Sequence, residues 1–366
     1  MKSMIAGLLV ALLVPAAHTA AAQGLVYTAT NAADGNRLLV FERDHRGGLS
    51  PIGSVATGGR GTGSGLGNQG GLVLTADRRW VLAVNAGSDE VSVLRARDAT
   101  VELAHVVASG GRRPVSLAVD RDLVYVLNAG GSVGEADTVV GFRLDRRGRL
   151  RPIPGAIRPL SGPSTAPAQI GFTPDGAFLV VTERATNLID VLPVDDDGLA
   201  GPAIVQASAG VTPFGFAFDR RGRLLVAEAG AGAPGASSAS SYRIDVDGRL
   251  VVISGAVPTT QSATCWVVVT AAGHLAFTTN TGSGTVSAFR VNRAGALTLR
   301  PADGIAAETG PGSAPADAAL SAGDRYLYTL NGGRGSISAL RVVGGSLELV
   351  AEFTGLPAGA NGLIAR

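Results

Sequence analysis

The sequence predicts an all-β fold, a seven-bladed β-propeller of four-stranded blades. Three observations predict it. A short apolar segment, often opened by proline, recurs as QGGLVL at 69, PVSLAV at 114, PAQIGF at 167, PFGFAF at 213, TCWVVV at 264, PADAAL at 315 and ANGLIA at 360. Its starts lie 45, 53, 46, 51, 51 and 45 residues apart, the period of a propeller blade. The 52 glycines and 18 prolines favour many short strands joined by tight turns over long helices.

Taken in order, the elements fit that plan. Residues 1–22 carry one lysine, an apolar stretch and a small-residue step, Ala20-Ala21-Ala22, before Gln23. This is the pattern of a secretory signal peptide, with an apolar core too short to span a bilayer. Residues 23–366 are then expected to form one propeller domain, periplasmic or secreted. Residues 25–57 supply strands two to four of a blade without an innermost strand, and ANGLIA is an innermost strand without followers. The two are expected to join in one blade and close the ring. Between them each copy runs from the innermost strand through a polar turn such as TPDG (173–176) or DRRG (219–222) to a second strand. A Gly-rich loop, a third strand such as TVVGFRLD (138–145), a second turn and an irregular fourth strand complete it. One such sheet cannot bury both faces alone, but radial stacking lets neighbours cover each other.

Charge narrows the partners. Lys2 is the sole lysine, and without it the formal net charge falls from +2 to +1. So small an excess gives no reason to expect nucleic acid or an anionic membrane as partner. A small-molecule ligand is expected instead, bound by a monomer without cofactor or metal. Cys265 is alone, which excludes an intrachain disulfide, and its place in TCWVVV reads as a buried, inert thiol. Gly65-Leu-Gly67-Asn-Gln-Gly70 matches a dinucleotide fingerprint as a string but precedes a strand, so it lacks the βαβ setting that motif needs. VDDDGLAG (194–201) and IDVDGRL (244–250) resemble calcium loops, yet they align with LDRRGRL (144–150) and VNRAGAL (291–297) as turns between third and fourth strands.

Candidate site residues come from departures between copies. The second strand ends in Asn85, Asn128 or Asn280 in three copies, but in Glu183 and Glu228 in blades four and five. Asparagine there holds the following turn, whereas glutamate reaches past it. The loop after the second strand shares a face with the start of the innermost strand. That gathers Glu183, Arg184, Glu228 and Arg113 at one end of the central channel. The third position of the innermost strands (Gly71, Ser116, Gln169, Gly215, Trp266, Asp317, Gly362) is mixed and polar and suits a channel lining. The fourth (Leu72, Leu117, Ile170, Phe216, Val267, Ala318, Leu363) is apolar and suits blade-to-blade packing. Paired carboxylates with an arginine can activate water and hold an oxyanion. In the bland alternative, each glutamate pairs locally and stiffens its loop. The segment EAGAGAPGASSASS (228–241) reads as a long loop, either a lid or a tolerated insertion.

With GNQGGLVLTADRRWVLAVNAGSDEVSVLRA, TPFGFAFDRRGRLLVAEAG and GSGTVSAFRVNRAGALTLRPADG, the chain resembles the seven-bladed lactonase-type propellers. That family includes 6-phosphogluconolactonase and 3-carboxy-cis,cis-muconate lactonizing enzymes. The resemblance spans the whole of residues 23–366 and implies hydrolysis of a lactone or related ester, with histidine, arginine and glutamate around the channel mouth. Glu228 falls where such members often carry a strand-end Asn-Glu pair. Their channel histidines have no counterpart in PAQIGF or PFGFAF, and His45, His105 and His274 fall in a turn, an outer strand and on the opposite face. On the lactonase reading Glu228 is the base, Glu183 positions water, and Arg184 and Arg113 hold the oxyanion or a carboxylate. Gln169, Trp266 and Asp317 then contact substrate. The alternative is a propeller that binds a ligand or protein on the same face without turning it over.

Overall fold

The computed structural model describes residues 24–130 and 136–366. The expected signal peptide lies outside them. Each innermost strand pairs in turn with a second, third and fourth antiparallel strand, and seven such sheets make up the described fold. The first blade is built from both ends of the chain. Asn361–Ala365 is its innermost strand, followed by Leu25–Ala29, Arg37–Arg43 and Leu49–Ala56. Backbone bonds between Leu25 and Arg366 run in both directions, at 3.0 and 2.8 Å. Blade six carries one addition, Ala307–Glu308, which pairs with its third strand. No helix among the described residues is long and apolar enough to cross a membrane.

The core is divided like the sequence. Seven apolar clusters lie one between each pair of neighbouring blades. The fourth residue of every innermost strand sits in the layer shared with the preceding blade. Leu117 joins Leu82 of blade two, Phe216 joins Val180 of blade four, and Leu363 joins Tyr328 of blade seven. That position is the repeated apolar one in the sequence, and hydrophobic burial there fixes the stacking.

The innermost strands share two backbone devices. Their register slips between the first and third or fourth residues in blades three to seven, as at Pro167/Gln169 and Thr264/Trp266. A slip of this kind is a β-bulge, and it re-aims the residue beside it. Just before each of these strands stands a non-glycine residue at positive φ: Arg113, Ala166, Thr212, Ala263 and Ala314. That conformation is sparsely populated for residues with a Cβ, and here it turns the chain down into the channel.

One expectation is corrected in blade five. The segment 228–241 is not a long loop. A short 3₁₀ turn at Gly230–Gly232 leads quickly into the third strand, Ser238–Ile244. Ser238, Ser240 and Ser241 are strand residues, and Ser238 and Ser240 share the face that meets Glu228. The acidic turns at 194–201 and 244–250 use their aspartates on backbone. Asp195 accepts from the Leu199 N–H (2.8 Å) and Asp245 from those of Asp247 and Arg249 (3.0 and 2.9 Å).

Candidate functional site

The strand-end residues point between blades, not into the channel. Asn85 lies against the connection arriving from blade one, accepting from Thr57 Oγ1 (2.8 Å) and donating to Ser92 Oγ (2.7 Å). Glu228 makes the longer version of the same contact. Its Oε1 accepts from the Gly210 N–H (2.9 Å) and Ser240 Oγ (2.5 Å), its Oε2 from Ser238 Oγ, and Ser208 lies at 3.4 Å. Gly210 must be glycine, because a Cβ there would fall 2.0 Å from Glu228 Oε2. Burial raises the Glu228 pKa, and the three serines and the Gly210 amide oppose that rise. Glu183 is held likewise by the Ser161 N–H (3.0 Å), Ser161 Oγ (2.5 Å) and Thr186 Oγ1 (2.6 Å). Both carboxylates are fully buried. The expected base and water-positioning pair are therefore interblade struts, since neither has an oxygen open to a ligand.

The third-position residues are also re-aimed. The bulge turns Gln169 sideways along the next blade, where Oε1 accepts from the Phe216 N–H (2.6 Å) and Nε2 donates to Phe216 O (3.0 Å). Ser116 Oγ accepts from the Ile170 N–H (3.2 Å). Blade five has Gly215 at this place, and Gln69 reaches across the channel to fill it, bonding Val267 N–H and C=O (3.3 and 3.0 Å). A Cβ on Gly215 would lie 2.0 Å from Gln69 Oε1. Asp317 is buried and accepts from the Ala318 N–H (2.7 Å). Burial pushes its carboxyl up to about 8, against bonds from the Ala318 and Leu363 backbone. Trp266 donates Nε1–H to Asn68 O (2.8 Å) and packs against Phe214 with ring centroids 5.0 Å apart. Gln169, Trp266 and Asp317, expected to touch substrate, instead stitch neighbouring blades and plug the channel. The string at 65–70 is that plug, not a nucleotide loop.

Arg184 stands apart from this closed network. It follows the strand end of blade four, at a place held by Ala86, Ala129, Ala229, Thr281 and Gly332 in blades two, three, five, six and seven. Its Nε donates to Ala166 O (3.0 Å), and its guanidinium lies 4.9 Å from the centre of the Phe214 ring. Among the described residues no carboxylate pairs with it. Burial lowers its pKa, the Cys265 thiol opposes this, and the nearby charge of Arg113 adds to it. Arg113 is exposed and also lacks an acidic side-chain partner for its guanidinium among the described residues. Behind them Ala168, Phe214, Cys265 and Trp266 form an apolar floor. Burial pushes the Cys265 thiol up to about 11, which leaves it protonated and a poor nucleophile near neutrality. The sequence carried a signal for Arg184: one long cation at a site otherwise held by small residues.

The family model for seven-bladed β-propeller lactonases matches residues 71–232, from the innermost strand of blade two into blade five. Blades two to five therefore match the lactonase-type propellers in sequence. The periplasmic gluconolactonase of Pseudomonas aeruginosa superposes on this seven-bladed propeller with a TM-score of 0.74 at 17% identity, covering 93% of this chain and 99% of that one. A protein from Lactobacillus plantarum gives 0.74 at 19% identity, covering 93% and 98%. A candidate 6-phosphogluconolactonase from Bacteroides fragilis gives 0.71 at 17%, covering 93% and 97%. At these identities the likeness shows the fold. No curated protein matches the propeller in sequence.

Proposed function

We propose that this lactonase-type propeller is exported and takes a lactone, or the hydroxy acid formed from it, at the Arg184 end of its channel. The observation that carries the reading is Arg184 itself, a half-buried guanidinium stacked on Phe214 with no carboxylate partner among the described residues. A desolvated cation without a counter-charge is costly to keep, and an anionic oxygen from a ligand would offset that cost. Arg113 adds a second positive charge on the same rim.

Hydrolysis at such a site is electrophilic in character. Water adds to the lactone carbonyl, the guanidinium stabilises the oxyanion, and the ring C–O bond breaks. The water proton passes to the departing ring oxygen, giving a hydroxy acid whose carboxylate the same arginine can hold. Neither Glu228 nor Glu183 takes part as a base. The family match and the gluconolactonase named among the structural neighbours support the substrate class. The burial of both glutamates favours a second reading, binding without turnover.

A lactone panel on the mature protein separates the two. Arg184→Met keeps much of the side chain's length and should leave the melting temperature nearly unchanged while lowering kcat/KM by about 10²-fold or more. If no lactone is turned over, calorimetry with gluconate should show binding that the same variant loses. Full activity or full binding in Arg184→Met would remove this site from consideration.

A further inference from the structure

Blade four departs from its neighbours at a second position. The third-strand residue that meets the strand end is Ser92, Ser240, Ser287 or Ser338 in blades two, five, six and seven. Opposite an asparagine, that serine accepts an N–H: Ser92 from Asn85 (2.7 Å), Ser287 from Asn280 (2.8 Å) and Ser338 from Asn331 (2.8 Å). Opposite Glu228 the serine must donate instead, and Ser240 does so. In blade four the strand end is Glu183 and the partner position holds Asp190. Asp190 is fully buried, and no N–H or O–H group among the described residues reaches either of its oxygens in hydrogen-bond geometry. The nearby Ser161 N–H is directed to Glu183.

Two ionised carboxylates cannot share such a site. We propose that Asp190 is a positioning residue, a carboxylic acid at neutral pH that donates its proton to Glu183 as Ser240 donates to Glu228. Through Glu183 it holds the turn that presents Arg184. The link is short. Glu183 Oε2 accepts from Thr186 Oγ1 at 2.6 Å, so one carboxylate ties together both sides of Arg184-Ala185. The functional half of this inference rests on the reading of Arg184 above; the shared proton does not.

The surroundings agree. Asp190 is flanked across the sheet by Val181 and Val205. Glu183 is the titratable group that faces it, blade three contributes the Ser161 backbone, and no guanidinium among the described residues acts on it. Burial, and then the charge of Glu183, pushes the Asp190 carboxyl up to about 8, against roughly 4 in an unfolded chain. The folded protein therefore keeps this proton where the unfolded chain has lost it. Its stabilisation is complete below about pH 4, drains away between about 4 and 8, and stays lost above that.

The test compares melting temperatures of the wild type, Asp190→Asn and Asp190→Ser from pH 4 to 9. Asparagine keeps a donor that does not titrate, and serine restores the residue of the other blades. The wild type should lose ground to both variants as pH rises, with the gap levelling off above about 8. Infrared spectra near neutrality should show a protonated-carboxyl band in the wild type that is weaker in both variants. Parallel melting curves, or no difference in that band, would overturn the shared proton. Gluconate binding should weaken threefold or more between pH 7 and 9 in the wild type relative to Asp190→Asn. Binding with identical pH dependence in the two proteins would overturn the positioning role. Absence of gluconate binding in both, with the melting and infrared results as expected, would sink the reading of Arg184 and leave the proton standing.

Discussion

Glu228 shows how one side chain can look catalytic in sequence and be structural in space. The position was legible because asparagine elsewhere in the repeat made the glutamates exceptions. The direction was not, since a strand-end residue can face the channel or the neighbouring blade, and only the path of residues 208–210 decides it. Once that path is known the chemistry follows. Four donors converge on a buried carboxylate, and truncation strands them all. Glu228→Ala should cost about 3 kcal/mol or more, read as a lower urea midpoint with unchanged slope. Glu228→Gln should fold and show a flatter pH dependence. Burial raises the Glu228 pKa, so its contribution is complete at low pH and is lost as pH rises toward the raised value. A Glu228→Gln protein whose stability falls with rising pH as steeply as that of the wild type would contradict this.

Among the elements, the innermost strand holds the main surprise. Its alternation of apolar and polar residues placed the fourth position correctly in the interblade layers. The third position was expected to face a ligand, and the β-bulge sends it instead to the next blade's backbone. A bulge has no fixed residue signature, so period-two reasoning carries the side chain to the wrong side. The bridge is nonetheless specific. Gln169→Leu would leave the Phe216 N–H and C=O unpaired in a largely buried setting, at a cost of roughly 2–4 kcal/mol. Gly215→Ala meets two obstacles, the Gln69 amide at 2.0 Å and the Cys265 carbonyl at 2.8 Å. The amide could swing away; the backbone carbonyl could not. Pairing Gly215→Ala with Gln69→Ala should therefore recover only part of the lost stability. Full recovery in the double variant would show that the side chain alone sets the constraint.

At the scale of the whole molecule, seven interblade layers depend on one noncovalent closure, and the repeat spacing alone made that closure legible. The strand Asn361–Ala365 does more than complete a sheet. Leu363 packs into the layer with blade seven, its backbone supports Asp317, and Asn361 donates to Asn68 Oδ1 (2.7 Å) in the channel plug. Deleting residues 358–366 would remove all three supports and expose the Leu25–Ala29 strand as a bare edge. The loss should approach the whole net stability of a domain, roughly 5–15 kcal/mol. It should be shared around the ring, since each layer is held by blades on both sides. Thermal melting and hydrogen exchange test this together. The expected truncated protein melts far below the full-length chain, with protection reduced in blades three and four as well as in blades one and seven. A truncated protein that kept full protection in blades three to five would show that the layers hold without the closure, and that the ring is a stack of locally stable blades.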